Sequence, residues 1–177
     1  MSSWKTWDTQ VYRALTGHRP GVTLRSEPTT LPAMLATLEG VHGSQKAAAQ
    51  ALGVNDRTWR NWKSGRTGIG PANATKLAAA IRRLRLPAAR EQRIGAAPNP
   101  VIHTISRYDG RKRKLDRKAL RYHMPQLGKV VALFLTGAPM REVTKAFLDG
   151  IGEPFYEAWL NPDNHTDMGF DIERIRL

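Results

Sequence analysis

The run from Gln45 to Ser64, QKAAAQALGVNDRTWRNWKS, constrains the fold more than any other part of the chain. Two helices that meet at a tight turn need a small residue where they cross, a glycine in the turn and apolar residues in the angle between them. Ala49 and Gly53 suit the first two positions. The apolar positions are supplied by Ala48, Leu52, Val54, Trp59 and Trp62. The sequence therefore predicts a helix-turn-helix.

A capping residue marks the start of each of these helices. Ser44 precedes the first helix and Asn55 precedes the second, and both residue types accept hydrogen bonds from the free N–H groups of a helix start. The second helix is predicted from Asp56 to about Lys63. Its two tryptophans are three residues apart and therefore face inward together. The outer side is left to Asp56, Arg57, Arg60, Asn61 and Ser64.

The outer side of the second helix has the residue types that distinguish DNA bases. Arginine bonds guanine bidentately and asparagine does the same for adenine when the N-terminus of such a helix lies in the major groove. The predicted DNA-binding residues of this region are Ser44, Gln45, Asn55, Asp56, Arg57, Thr58, Arg60, Asn61, Lys63, Ser64 and Arg66. A packed helical hairpin without DNA contacts is the alternative, and the basic outer face favours DNA.

The positive charge of the chain is concentrated in two blocks. The chain has 28 Lys+Arg against 15 Asp+Glu, a net charge of +13. Residues 44 to 93 hold 11 basic and 2 acidic side chains, residues 105 to 122 hold 8 and 2, and residues 123 to 177 hold 5 and 8. Such clustering is typical of a nucleic-acid surface, because each cation that neutralises a phosphate releases counterions. An anionic membrane is the less favoured partner, since the basic stretches lack an aromatic and leucine face.

Composition and motifs favour a non-enzymatic intracellular protein. The chain has no cysteine, which excludes disulfides and cysteine-based zinc sites. The start lacks the pattern of a signal peptide and no apolar run is long enough to span a membrane, so we expect a cytoplasmic, nucleoid-associated protein. The histidines lack metal-ligand spacing, and GRTGIG follows a helix rather than a strand. No catalytic, metal-binding or cofactor-binding residue is predicted.

The first half of the chain divides into three stretches. Residues 1 to 30 are expected to form an arm or an irregular lead-in. Residues 31 to 86 form the predicted helix-turn-helix domain, which includes supporting helices over LPAMLATLEG and ANATKLAAAIRRLRL. The second of these has an apolar stripe of Leu77, Ala80, Ile81 and Leu84, with Lys76, Arg82, Arg83 and Arg85 mostly off it. Those arginines are explained equally well by phosphate binding and by a solvated helix face. Residues 87 to 100, with three prolines and a glycine, are expected to be a linker.

Residues 101 to 177 have the pattern of a separate domain. VIHTISRY predicts a strand, DGRKRK a turn and basic loop, LDRKALRYHM a helix and LGKVVALFL an apolar helix. Helices over MREVTKAFLDGI and EPFYEAWL follow, and GFDIERIRL predicts a closing strand that pairs with the first. The expected fold class is mainly α, α+β: an N-terminal helix-turn-helix domain followed by a small strand-helices-strand domain.

A dense basic strip from Arg107 to Arg121 is a second predicted DNA contact. Its loop contributes Arg111, Lys112, Arg113 and Lys114, which suit backbone phosphates without distinguishing sequence. Tyr108 and Tyr122 lie at the two edges of the strip, where tyrosine can stack on an unpaired base. A solvated basic loop is the alternative.

The order of these elements from about residue 30 to the end resembles the terminal proteins, called Tpg, of actinomycete linear chromosomes and plasmids. The resemblance rests on the basic helix-turn-helix half, the strand near residue 101, the run GAPMREVTKAFLDGIGEPFYEAWL and the acidic-to-apolar terminal strand. It implies a protein that binds telomeric DNA with a telomere-associated partner and caps the ends of a linear replicon. It also implies a side-chain hydroxyl from which a DNA polymerase primes end replication.

The family's acceptor hydroxyl is a threonine in the loop after the first strand, and here that loop has no hydroxyl. The nearest candidates are Tyr108, Ser106 and Thr104. Tyr108 is favoured because it lies at the loop edge beside basic residues. For each of the three, an ordinary strand position is the alternative.

A helix-turn-helix regulator of transcription or replication, of plasmid or phage type, is the alternative function. Such a regulator binds a palindrome as a dimer with half-sites about 34 Å apart, whereas a terminal protein prefers folded or single-stranded DNA ends. In either case the apolar segments 130–135 and 155–159 are expected to exceed what a small domain needs to expose, which predicts a homodimer. The second domain would then serve priming, self-association or partner binding.

Overall fold

The computed structural model of the chain describes residues 4–17, 28, 30–96, 99–107, 115–151 and 170–177. Within these ranges the chain forms eight helices and one three-stranded antiparallel sheet, which confirms a mainly helical fold with a small β component. The elements are α1 Trp4–Thr16, α2 Leu31–His42, α3 Gln45–Leu52, α4 Asp56–Lys63, α5 Pro71–Arg85, α6 Ala88–Ala96, β1 Val101–Arg107, β2 Leu115–Arg121, α7 Leu127–Leu135, α8 Met140–Ile151 and β3 Phe170–Arg176. No helix in the described ranges combines the length and apolar character needed to cross a membrane.

The chain divides into two compact units. The helical unit lies within Thr23–Arg85 and Phe134–Ala138, and the sheet unit lies within Met1–Val22, Leu86–Leu133 and Pro139–Leu177. The first segment of the helical unit ends at Arg85, one residue before the domain boundary expected at residue 86. Its second segment was not expected, because the sequence assigned all of residues 101 to 177 to the other domain.

The helical unit is built around the predicted pair of helices α3 and α4. Ser44 Oγ accepts a hydrogen bond from the N–H of Ala47 at 3.1 Å, and Asn55 Oδ1 accepts one from Thr58 at 2.7 Å. Gly53 has a φ of +75°, a left-handed conformation that glycine adopts without the steric cost of a Cβ. Both predicted caps, the turn glycine and the bounds of α4 are therefore confirmed.

The core of the helical unit collects the buried faces of α2, α3, α4 and α5. Trp59 and Trp62 are buried with ring centroids 6.4 Å apart, as their spacing predicts. The small side chains of Ala48 and Ala49 in α3 belong to the same buried cluster as the two tryptophans. The buried cluster consists of Leu35, Leu38, Ala48, Ala49, Leu52, Trp59, Trp62, Leu77 and Ile81.

The segment Phe134–Ala138 completes the helical unit through Arg82 of α5. Arg82 is only 3% exposed, and its Nη1 donates hydrogen bonds to the carbonyl oxygens of Phe134 at 3.0 Å and Ala138 at 2.6 Å. Its guanidinium carbon lies 4.8 Å from the centroid of the Phe134 ring, within cation–π range. The expected place of Arg82 off the buried stripe is therefore wrong, and Leu84, expected on that stripe, is 43% exposed.

Gly137 makes a close contact between the same segment and α5. Its φ is +81°, and a Cβ built on it would overlap the carbonyl oxygen of Thr75 and the backbone nitrogen of Ala79. The position therefore favours glycine over any other residue for two reasons. The backbone is left-handed, and the close packing against α5 leaves no space for a Cβ.

The sheet unit is organised around β1, which lies between β2 and β3 in the order β2-β1-β3. β1 pairs antiparallel with β2 from Val101↔Arg121 to Arg107↔Leu115, and with β3 from Val101↔Arg176 to Ser106↔Phe170. The predicted pairing of the first and last strands is confirmed. The predicted helix over LDRKALRYHM is wrong, because residues 115–121 form β2, which pairs along its whole length with β1.

The N-terminal stretch belongs to the sheet unit and contains a helix where an arm or irregular lead-in was expected. α1 buries Trp7, Val11 and Leu15, which are at most 1% exposed. Helix α6 occupies most of the expected linker. Arg90 of α6 donates hydrogen bonds to the carbonyl oxygens of Ala14 at 2.6 Å and Leu15 at 2.8 Å at the end of α1. Burial and the charge of Arg93 lower the pKa of the Arg90 guanidinium.

Four apolar residues of α7, Leu127, Val130, Val131 and Phe134, are buried, whereas Leu133 and Leu135 are half-buried. Val130 and Val131 are at most 3% exposed and Phe134 is fully buried, so the expected exposure of segment 130–135 is wrong for these residues. The second expected apolar segment, 155–159, and the predicted helix over EPFYEAWL lie outside the described residues. α8 buries Val143, Phe147 and Ile151 on one face, as predicted.

Candidate nucleic-acid interface

Helix α4 forms one wall of an open concavity of about 550 Å³ on the helical unit. All of the residues that line it are polar or cationic: Arg57, Arg60, Asn61, Lys63, Ser64 and Arg66. The two tryptophans on the opposite side of α4 anchor the helix in the core. The predicted outer side of the helix is therefore the side that faces solvent.

Asp56 connects α3 to the exposed side of α4. Its Oδ1 accepts a hydrogen bond from Gln45 Nε2 at 2.7 Å, and its Oδ2 lies 3.0 Å from Arg60 Nη2. Both carboxylate oxygens are thus engaged, one with the preceding helix and one with the next turn of α4. A carboxylate at the first turn of a helix is also favoured by the positive end of the helix dipole.

Glu39 of α2 supports α4 from the other side. Its Oε1 accepts a hydrogen bond from Trp59 Nε1 at 2.8 Å, and its two oxygens lie 3.0 and 2.7 Å from Lys63 Nζ. The hydrogen bond from Lys63 lowers the pKa of Glu39, and the bond from Trp59 adds to this against the opposite effect of burial. Lys63, predicted as a DNA contact, is therefore held at the edge of the concavity by an ion pair.

Arg57 and Arg66 carry the remaining cationic groups of the concavity. Both are exposed, and neither side chain has a hydrogen-bond or ion-pair partner among the residues that the structure describes. The backbone of Asn61 fixes the loop that carries Arg66, since its carbonyl oxygen accepts hydrogen bonds from the N–H of Arg66 at 2.9 Å and from Ser64 Oγ at 3.2 Å. The two arginines are thus available to an external anion on a defined backbone.

The charge of the helical unit is strongly positive around this concavity. Its described part has two acidic residues, Glu39 and Asp56, and each pairs with a cation of α4. Its basic residues are Lys46, Arg57, Arg60, Lys63, Arg66, Lys76, Arg82, Arg83 and Arg85. Arg82 is the exception among them, because burial against backbone carbonyl groups removes it from any phosphate surface.

The other predicted residues of the motif are placed at its two helix starts. Ser44 and Asn55 use their side chains as caps, and Gln45 uses its amide nitrogen on Asp56. Thr58 is half-buried on the first turn of α4. Glu39 was missed by sequence reasoning, although an isolated carboxylate in the apolar run LPAMLATLEG is a sign of a specific partner.

The predicted second site is described only in part. Thr104 and Ser106 lie in β1, where Thr104 pairs with Lys118 and Ser106 with Asp116 of β2. Tyr108, Arg111, Lys112, Arg113 and Lys114 lie outside the described residues. Tyr122 is 9% exposed, and its backbone N–H donates to the carbonyl oxygen of Pro100 at 3.0 Å. Its predicted role as a stacking surface is wrong, since a buried ring has no free face for a base.

Comparisons of the chain with protein-family models, with curated proteins and with solved structures find no match.

Proposed function

We propose that α3 and α4 form a helix-turn-helix that binds double-stranded DNA with α4 in the major groove. The observation that carries this proposal is the cationic concavity on α4, in which Arg57 and Arg66 have no partner among the described residues. An exposed cluster of like charges repels itself, and an anionic ligand relieves that repulsion.

The dimensions of α4 suit the groove. An eight-residue helix is about 12 Å long, which covers three to four base pairs at about 3.4 Å each. A helix with its side chains is about 10–12 Å across and the major groove is about 12 Å wide. The buried tryptophans leave the opposite side of α4 free to enter the groove.

The residues of the concavity divide into two kinds of contact. Arg57 and Asn61 are four residues apart on α4 and therefore share a face, with a guanidinium and an amide that suit guanine and adenine. Arg66 follows α4 on the loop and Lys63 is tied to Glu39, positions that suit backbone phosphates. Base contacts would supply sequence specificity and the phosphate contacts would supply affinity.

The test is selection of a binding site from random duplex DNA, followed by titration of the selected site and of random duplex. Arg57→Ala and Asn61→Ala are each expected to lower discrimination by about 1–3 kcal/mol. Arg66→Ala is expected to weaken both duplexes alike and to reduce the salt slope by about 1. Lys145→Ala, which removes an exposed charge from α8, is the matched control and should leave discrimination unchanged.

Equal loss of affinity for both duplexes with Arg57→Ala and Asn61→Ala would contradict the assignment of α4 as the recognition helix. A wild-type protein that selects no sequence and shows no salt-dependent binding would contradict DNA binding itself. The same titrations distinguish the two failures, because the first is seen in the variants and the second in the wild-type protein.

Within DNA binding, we propose the role of a terminal protein that caps a linear replicon end and primes its replication. The support is the resemblance of the element order to terminal proteins, and a telomere-associated protein and a DNA polymerase are the partners that it implies. Intact mass of the protein purified from its native host after nuclease digestion tests this role. A residual nucleotide on Thr104, Ser106 or Tyr108 would support it, whereas an unmodified mass would favour a regulator of plasmid or phage type.

A further inference from the structure

We propose that Arg60 determines specificity for a guanine at one position of the bound site, and that Asp56 and Gln45 are the residues that position its guanidinium. This inference rests on the proposed insertion of α4 into the major groove. Arg60 would be a third base contact beside Arg57 and Asn61. It differs from Arg57 because an ion pair with Asp56 orients its guanidinium before DNA binds.

The geometry that carries the inference is a hydrogen bond followed by an ion pair. Gln45 Nε2 lies 2.7 Å from Asp56 Oδ1, and Asp56 Oδ2 lies 3.0 Å from Arg60 Nη2. The side chain of Asp56 is 39% exposed and that of Arg60 is 64% exposed. An isolated pair at this exposure has little energetic effect, because both side chains move freely. The bond from Gln45 restricts Asp56, since it comes from a different helix and holds the second oxygen.

The restriction of Asp56 matters for what Arg60 can recognise. A guanidinium has five N–H donors, and the ion pair of Arg60 with Asp56 leaves enough of them for the O6 and N7 atoms of one guanine. A guanidinium that is already oriented loses less rotational freedom on binding, so more of its hydrogen-bond energy distinguishes the correct base. The carboxylate costs affinity for phosphates, which is consistent with a role in specificity.

A purely structural role for Asp56 makes a different prediction. If Asp56 only stabilises the first turn of α4 through the helix dipole, its replacement lowers the folded fraction. Affinities for specific and random DNA then fall by the same factor, and their ratio is unchanged. The ratio at each base pair is therefore the quantity to measure.

The experiment is a scan of single base-pair changes across the site selected by the wild-type protein, made with variants of the full chain. Arg60→Ala should remove a preference for one G·C pair of about 5- to 150-fold. Asp56→Asn should reduce the preference at that same pair by about threefold or more, while it raises affinity for random DNA because a negative charge is lost. Gln45→Ala should reduce the preference for the same G·C pair without raising affinity for random DNA, because it removes no negative charge.

Glu39→Gln is the matched control. It also removes a carboxylate next to a cation of α4, but its partner is Lys63 rather than Arg60. It should raise affinity for random DNA as Asp56→Asn does and leave the guanine preference at the wild-type value.

The inference is overturned if Asp56→Asn and Gln45→Ala leave the guanine preference intact. It is also overturned if these variants reduce the preference at a different base pair from the one that Arg60→Ala affects. In either case the protein would keep the base preferences that depend on Arg57 and Asn61, and the proposed function would stand. A wild-type protein that selects no site would overturn both together.

Discussion

Replacement of Glu39 by alanine is expected to destabilise the helical unit several times as much as replacement by glutamine. Trp59 is fully buried, and alanine leaves its Nε1–H without an acceptor at a cost of about 1–3 kcal/mol. Alanine also removes the pair with Lys63, whose side chain is 52% exposed, so that pair contributes about 0.2–1 kcal/mol. Glutamine retains an oxygen for Trp59 and loses only the ion pair.

The assay is urea unfolding of the full chain at neutral pH, followed through the indole N–H resonance of Trp59. The resonance is assigned by its loss in Trp59→Phe, and it reports on the helical unit separately from the rest of the chain. In the Trp59→Phe background, where unfolding is followed through the indole N–H resonance of Trp62 in the same core, the alanine and glutamine variants should become nearly equal in stability, because the buried donor is gone. Equal destabilisation by the two variants in the wild-type background would refute the reasoning.

The same carboxylate gives a pH dependence with a defined sign. The pKa of Glu39 is lowered in the folded state, chiefly by the hydrogen bond from Lys63. Its contribution to stability is therefore present above its unfolded pKa of about 4.3 and is lost as the pH falls through the lower folded pKa. The stability difference between wild type and Glu39→Gln should shrink in that acidic range, as measured by urea midpoints at several pH values.

Three further predictions concern the stability of the helical unit, and urea unfolding measures each. Arg82→Met should cost about 2 kcal/mol or more, because two carbonyl oxygens lose a charged donor, while Arg57→Ala should change stability by less than about 0.5 kcal/mol. Gly137→Ala should cost more than Gly53→Ala, for which about 1–2 kcal/mol is expected from backbone strain alone; the reverse order would contradict the close packing at Gly137. Gly40→Ala should stabilise α2 by up to about 1 kcal/mol, since an added Cβ there meets open space.

The pair α3 and α4 could be predicted almost to the residue because every local preference there points the same way. Ser44 and Asn55 cap, Gly53 takes the left-handed turn and the tryptophan spacing defines the inner face. Each of these effects acts within a few residues of the chain. The outer side of α4 follows from the same periodicity, so most of the candidate site was predictable as well.

The features that the sequence did not reveal depend on distant parts of the chain. Leu115–Arg121 has a composition that a helix accepts, and its strand conformation depends on pairing with β1. Arg82 has the pattern of a solvent-facing residue, and its burial depends on carbonyl groups from segment 134–138. The pairing of Glu39 with Lys63 depends on the distance between α2 and α4. Helical periodicity gives the direction of a side chain but does not identify its tertiary partner.

The closure of the helical unit by segment 134–138 has a consequence for the order of folding during synthesis. Arg82 and Phe134 are 52 residues apart. At a translation rate of about 5–20 residues per second, α5 leaves the ribosome about 3–10 s before the carbonyl groups that its buried arginine binds. Until then the guanidinium and the backbone of α5 around Thr75 and Ala79 lack their native cover. The helical unit, most of which is translated in the first half of the chain, is therefore expected to finish folding only when three quarters of the chain has been made.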